Sequence, residues 1–207
     1  MLTHQHYDHI KDIPALAMNL FLRRGTINIY STAPVFEVVS SYLLDGELYP
    51  KFLKAPLSAP TISFTIIEPH QVLAIAGYNI IAVPVGHTVP TVGYQITSSD
   101  GKSLFYTGDT GPSLADCWQH ISPQLLIIEV TAPNQYEDFG RESGHLTPSL
   151  LKQELLKFQE TKGYLPQTVL VHMNPALEKE IAAEISAVAE SLGGQITLAY
   201  EGMQIRL

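Results

Sequence analysis

Along the chain, short apolar runs alternate with segments whose apolar positions recur at helical spacing, and the two periods separate strands from helices. Residues 12–25 read as a helix, with Asp12 at the N-cap, Pro14 in the first turn, Arg23 and Arg24 at the end and Gly25 as the stop. A strand over "TINIYS" and a helix over "APVFEVVSSYLLDG", ending at Gly46, follow. From Thr61 to about Asp109 the pattern predicts a meander built from "TISFTIIE", "QVLAIA", "YNIIAVPV", "TVGYQITS" and "KSLFYTGD", with residues 98–101 as a hairpin turn. The remainder alternates: "SLADCWQHI" helical, "QLLIIEVT" a strand, and 147–163 a helix capped by Thr147 with Pro148 at its first position. "TVLVHM" then reads as a strand and "ALEKEIAAEISAVAESLGG" as a helix, and two short runs, "QITLAY" and "MQIRL", close the chain. Mixed strands with helices outside them predict an α/β (α+β) layered sandwich whose polar residues gather where strands end.

With 207 residues, 45% of them apolar and 15% charged, the chain can bury a sizeable core, and one domain over 1–207 is expected. No apolar run reaches the length of a spanning helix and no signal-peptide pattern opens the chain, so the expected setting is cytoplasmic, with no membrane partner. The one cysteine, Cys117, reads as a half-buried thiol. A formal charge of −8 offers no broad positive field, which excludes a long nucleic acid as an expected partner and leaves small anions held through metal ions.

The chemistry concentrates at residues 3–10, "THQHYDHI". Imidazole nitrogen and carboxylate oxygen are the donors that zinc and similar divalent ions prefer. Alternate residues His4 and His6 can face one position while Asp8 and His9 turn toward a second, so one loop can seed two metal sites. Four donors do not saturate two ions, and further donors stand at predicted strand ends: His87 in "VPVGHTVP", Asp109 in "FYTGDTGP" between Gly108 and Gly111, and His172 after "TVLV". Glu129 follows an apolar run where an unpaired carboxylate would be costly, and His145 precedes a helix N-cap. The two could form a carboxylate–imidazole pair, the acid orienting the ring. The competing readings are a solvated histidine-rich loop, a rim carboxylate and a loop histidine. Arg23 and Arg24 fit a helix C-terminus better than a phosphate site, and His70 and His120 lie in no motif.

These motifs resemble a known family. "THQHYDHI" is similar to the His-x-His-x-Asp-His signature of the metallo-β-lactamase superfamily, and "GHTVPTVGYQI", "FYTGDTGP", "IIEVTAPN", "SGHLTP" and "VLVHMNP" follow in that superfamily's order. "HTVPTVGY", "TGDTGP", "SGHLTPSLLKQEL" and "LYPKFL" resemble the class II 3′,5′-cyclic-nucleotide phosphodiesterases more closely. The resemblance covers essentially the whole chain. It implies the αββα sandwich of that superfamily and two divalent ions, zinc foremost, with manganese or iron as alternatives. It implies that His4, His6 and His87 hold one ion, that Asp8, His9 and His172 hold the other, and that Asp109 bridges them. It also implies a catalytic set of His145, Glu129 and Asp8, with His145 as acid–base or stabilising group and Glu129 orienting it, by similarity to the "EAT" and "HST" motifs of tRNA 3′-processing endonucleases. The implied reaction is hydrolysis of a 3′,5′-cyclic nucleotide to the nucleoside 5′-monophosphate.

The sequence departs from that pattern at its start: only Met1, Leu2 and Thr3 precede a signature that the superfamily places after several strands. The expectation is a first sheet short of its N-terminal strands, with an open edge through which a homodimer could form. The alternatives are an RNA phosphodiesterase on the same metals, and a non-catalytic metal-binding remnant. Lactone or β-lactam hydrolysis is disfavoured by the Asp109 bridge and the His145–Glu129 pair.

Overall fold

A computed structural model describes residues 1–207, which divide into two compact units, Met1–Glu68 and Pro69–Leu207.

The first unit begins with a single helical turn, α1 (Tyr7–Ile10), and continues through α2 (Ile13–Leu22), β1 (Ile27–Ser31), α3 (Ala33–Val38) and β2 (Ile62–Ile66). β1 and β2 form a two-stranded parallel sheet in register Ile27↔Ile62 to Ser31↔Ile66. Ile10, Ile13, Ala17, Ile29, Val35, Phe52 and Ile62 are buried together as its core. The opening segment is tied to β1 at two points: the Leu2 amide donates to the Tyr30 carbonyl at 3.0 Å and the Ser31 hydroxyl donates to the Leu2 carbonyl at 2.7 Å. The histidine-rich stretch therefore starts from an anchored backbone.

Two expectations differ here. The run from Thr61 does not join a meander; it pairs with β1, because a parallel partner thirty-odd residues away satisfies its backbone as well as a hairpin neighbour would. The helix expected to reach Gly46 instead changes to π-type hydrogen bonding over Val39–Leu43. The Asp12 carboxylate makes no capping bond although Asp12 occupies the N-cap position of α2.

The second unit carries a seven-stranded sheet in the order β3 (Val72–Ile75), β4 (Tyr78–Val85), β5 (Thr91–Thr97), β6 (Ser103–Tyr106), β7 (Leu125–Glu129), β8 (Gln167–Val171) and β9 (Ile196–Leu198). The first four strands pair antiparallel, the last four parallel. Helices α4 (Ala115–His120), α5 (Glu137–Ser143), α6 (Pro148–Lys162) and α7 (Glu178–Leu192) lie in the connections, as parallel strand pairs require. Residues 98–102 close the β5–β6 hairpin through mutual Ser98–Lys102 bonds. "MQIRL" forms no strand.

Strand direction decides where the polar residues go. β4 runs antiparallel to β5, and β5 antiparallel to β6, so β4 points the same way as β6, and β7 and β8 follow β6. The C-terminal ends of β4, β6, β7 and β8 thus share one rim, where an open sheet with parallel strands places its chemistry. Beneath it, Phe105, Leu126, Ile128 and Leu170 pack with Trp118, Leu150, Leu155, Phe158, Ile181 and Ile185. Trp118 meets Phe158 edge to face at 5.2 Å, an arrangement worth about 0.5–1.5 kcal/mol beyond the area buried. Residues 181, 185, 188 and 192 give α7 its inner face at helical spacing.

Candidate functional site

In the first unit the opening loop turns into α1 directly after His6, which gathers its donors within one turn of chain. Nε2 of the fully buried His4 lies 3.1 Å from Nδ1 of His6, and the His4 ring is 4.2 Å from the ring of His9. Nδ1 of His4 is held by the Thr3 hydroxyl at 3.0 Å, so Nε2 is the nitrogen presented. Asp8 is exposed and reaches Nε2 of His9 at 3.4 Å. With zinc–nitrogen bonds of about 2.0–2.1 Å, two imidazoles on one tetrahedral ion stand roughly 3.3–3.4 Å apart, so the His4–His6 spacing fits shared ligation.

The second unit brings its predicted residues to the common rim. His87 lies just past β4, Asp109 just past β6, Glu129 is the last residue of β7, and His172 follows β8. Donor atoms of His87, Asp109 and His145 fall within 4.8 Å of one another, as do those of Glu129, His145 and His172. Nε2 of His172 stands 3.3 Å from Oδ2 of the buried Asp109, the separation of neighbouring ligands on a divalent ion. The donor set suits borderline and hard divalent cations.

The hydrogen bonds settle which ring nitrogen each histidine presents. Nδ1 of His87 faces the Gly144 carbonyl at 2.8 Å; a carbonyl only accepts, so Nδ1 carries the proton and Nε2 the lone pair. Nδ1 of His145 lies 2.6 Å from Oε1 of Glu129, again an acceptor. The Thr131 hydroxyl donates its one proton to Oε2 of Glu129 at 2.7 Å and therefore accepts from Nδ1 of His172 at 2.9 Å. All three rings are thus oriented through Nδ1, leaving Nε2 to the site, the pattern by which outer hydrogen bonds fix a ligand's tautomer. Thr131 is the residue sequence reasoning missed; its place two positions after Glu129, facing the same side of an extended chain, was the available signal.

Glu129 is fully buried, and its carboxylate takes four bonds: from the Thr110 amide (2.8 Å), the Leu146 amide (3.3 Å), the Thr131 hydroxyl and the His145 ring. A buried carboxylate is tolerable only when its oxygens are satisfied this way. The half-buried Tyr106 hydroxyl, at the end of β6, is pushed up from its usual range by burial, then by the charges of Asp109 and Glu129.

Close backbone contacts lock the loops in place. Gly144 has a φ of +70°, and a Cβ there would meet Nδ1 of His87 at 3.0 Å; one at Gly111 would meet Cα of Gly144 at 3.0 Å. His172 itself adopts a φ of +62°, unusual for a residue with a side chain. Glu154 of α6, also fully buried, accepts from the Ser113 and Leu114 amides at 2.9 and 3.1 Å and from Lys157 Nζ at 2.9 Å, which fastens the loop after Asp109 to the helix. Thr147 stands at the N-cap of α6, but its hydroxyl meets Ser149 Oγ instead of a backbone amide.

Other singled-out residues lie apart from this rim or outside its hydrogen bonds. His70 and His120 meet each other at 4.2 Å as exposed rings, and Cys117 is buried. In the first unit, Arg24 lines a pocket with Phe21, Gly25 and Thr61, while Tyr7 is largely exposed.

Residues 1–173 match the beta-lactamase superfamily domain, and the chain belongs to the metallo-β-lactamase superfamily. A probable 3′,5′-cyclic-nucleotide phosphodiesterase of Yersinia pestis is 24% identical over 202 residues, covering 86% of this chain and 57% of that protein. The chain thus spans less than two thirds of that relative's length. A ribonuclease Z of Kineococcus radiotolerans is 23% identical over 247 residues, covering 94% of this chain and 73% of that protein. Among solved structures, unliganded yeast PDE1 superposes with a TM-score of 0.84 at 17% identity, covering 97% of this chain and 66% of that one. The mixed α/β architecture of the chain is that of the metallo-β-lactamase fold. No helix is long and apolar enough to cross a membrane.

Proposed function

We propose that the protein is a dinuclear-metal phosphodiesterase that hydrolyses 3′,5′-cyclic nucleotides to nucleoside 5′-monophosphates. The observation that carries this reading is the buried Glu129 held 2.6 Å from His145, beside the Asp109–His172 donor pair. An oriented imidazole next to divalent-ion ligands suits a reaction in which an alkoxide leaves phosphorus and needs a proton. Likeness to the Yersinia relative, in its printed name, supports the cyclic substrate.

On the family resemblance, His4, His6 and His87 are assigned to one ion, Asp8, His9 and His172 to the other, and Asp109 to both. Bound divalent ions supply Lewis-acid charge at phosphorus and lower the pKa of water. The chain's own residues do the rest. Water adds to phosphorus and the bond from phosphorus to O3′ breaks; His145 enters the step as the imidazolium, with protons on both nitrogens, O3′ leaves with the one on Nε2, and the proton released by the water restores that form. Glu129 keeps Nδ1–H in place, so the ring's working nitrogen stays aimed at the site.

A second reading, an RNA phosphodiesterase, is favoured by the extent of the Kineococcus ribonuclease Z match, 94% of this chain. The test is metal analysis of the purified protein together with turnover of 3′,5′-cAMP, 3′,5′-cGMP and a tRNA precursor with a 3′ trailer. Two equivalents of metal with release of 5′-monophosphate, abolished by chelation and restored by zinc or manganese, is the expected result. Metal-loaded protein that trims the precursor and leaves both cyclic nucleotides intact would replace this reading with the second. Protein without bound metal or turnover would replace both with a non-catalytic role.

A further inference from the structure

Beside Thr131 the second unit holds a pocket of about 320 Å³ that the proposed chemistry does not use. Thr131, Ala132, Tyr136, Phe139, Asn174 and Leu177 line it. Resting on the phosphodiesterase reading, we infer that this pocket receives the heterocyclic base of the substrate, with Phe139 and Tyr136 as its aromatic walls and the Asn174 amide as its polar contact.

Thr131 belongs to the pocket and to the cluster: its hydroxyl bonds Glu129 and His172 and lies 3.3 Å from Nδ1 of His145. The pocket therefore borders the Nδ1 edge of both rings, one imidazole's width from the Nε2 atoms turned to the site. Phe139 and Tyr136 are 56% and 42% exposed, large aromatic faces left to water in a concave, mainly apolar site of the size that takes small ligands. Flat heterocycles stack on such rings.

The segment bearing both aromatics is pinned at several points: the Asn134 amide donates to Glu184 at 2.8 Å, the Ser149 amide to Asn134 Oδ1 at 2.7 Å, and Arg141 pairs with Glu137 at 2.7 Å. A wall held without ligand loses less freedom on binding. Asn174 is fixed likewise. Its backbone N–H donates to the Thr131 carbonyl at 3.1 Å and its side-chain Oδ1 accepts from the Ala176 backbone N–H at 3.0 Å, so the side chain offers a ligand its NH₂ donor, matched to a ring nitrogen or exocyclic oxygen of a base.

The test is calorimetric titration of the metal-loaded protein with adenosine 5′-monophosphate and with ribose 5-phosphate, which carries an anomeric hydroxyl in place of the base. Wild-type protein should bind the nucleotide at least tenfold more tightly. Phe139→Ala should bring the two affinities within about twofold by weakening only the nucleotide, and Phe139→Tyr should keep the difference. Equal affinities in the wild type, or a difference that survives both Phe139→Ala and Tyr136→Ala, overturns the inference. Turnover of 3′,5′-cAMP, measured in parallel, separates the two claims. Turnover with no preference for the base removes the pocket and leaves the proposed function; a preference without turnover of any cyclic nucleotide does the reverse.

Discussion

Oε1 of Glu129 lies 2.6 Å from Nδ1 of His145, and the carboxylate is wholly buried while the ring is only partly so. The acid is therefore fixed from the inside, and the ring is presented outward with one nitrogen committed. That asymmetry separates two kinds of substitution. His145→Ala should lower kcat by about 10²–10⁴, the usual contribution of a positioned acid or base, and leave metal content unchanged by elemental analysis. Loss of metal in this variant would make His145 a ligand and not a proton donor.

Thr131 gives a sharper contrast, because its single hydroxyl joins Glu129 to His172. Thr131→Ser keeps that hydroxyl and should retain near-wild-type activity. Thr131→Val keeps the shape and loses the bonds, and should cost about 10–100-fold in metal affinity or turnover, the range for outer-shell partners of ligands. Competition with a fluorescent zinc chelator measures the affinity arm. Equal behaviour of the two variants would leave the hydroxyl without a role.

Glu154 should act on stability alone. Glu154→Ala deprives the Ser113 and Leu114 amides of their acceptors, and a buried donor left unmade costs about 1–3 kcal/mol. Urea unfolding should show a lowered midpoint, with Glu154→Gln falling between the wild type and Glu154→Ala. A midpoint unchanged in Glu154→Ala would mean that the loop after Asp109 is held by other contacts.

Cys117 is pushed up to about 12, chiefly by burial and then by the charge of Glu154. Only the thiolate reacts, so iodoacetamide at pH 8 should leave Cys117 unmodified in folded protein and label it fully in urea. Above about pH 9 the unfolded thiol ionises while the folded one stays protonated, so its contribution is intact below that pH and is lost as pH climbs toward 12, by about 1.4 kcal/mol per pH unit for one proton. Replacing Cys117 with Ala should flatten that alkaline slope; rapid labelling of native protein would contradict the buried assignment.

The periodicity of apolar residues alone determined the elements, since burial of one face sets a local spacing: the helices at 13–22, 148–162 and 178–192 and every strand from Val72 to Val171 stand where the pattern puts them. Donor chemistry at strand ends likewise singles out His87, Asp109, Glu129 and His172 in the sequence, because polar residues that follow buried strands need a reason to be there. Pairing partners were another matter. That β2 joins β1 in parallel rather than opening a meander depends on contacts distant in sequence, which a local period does not encode. Only the folded chain decided that Thr131 links Glu129 to His172, that Gly144 must lack a side chain beside His87, and that Phe139 and Tyr136 face a pocket at Thr131. Each of those facts is a relation between loops, created when strands running in one direction end on one rim.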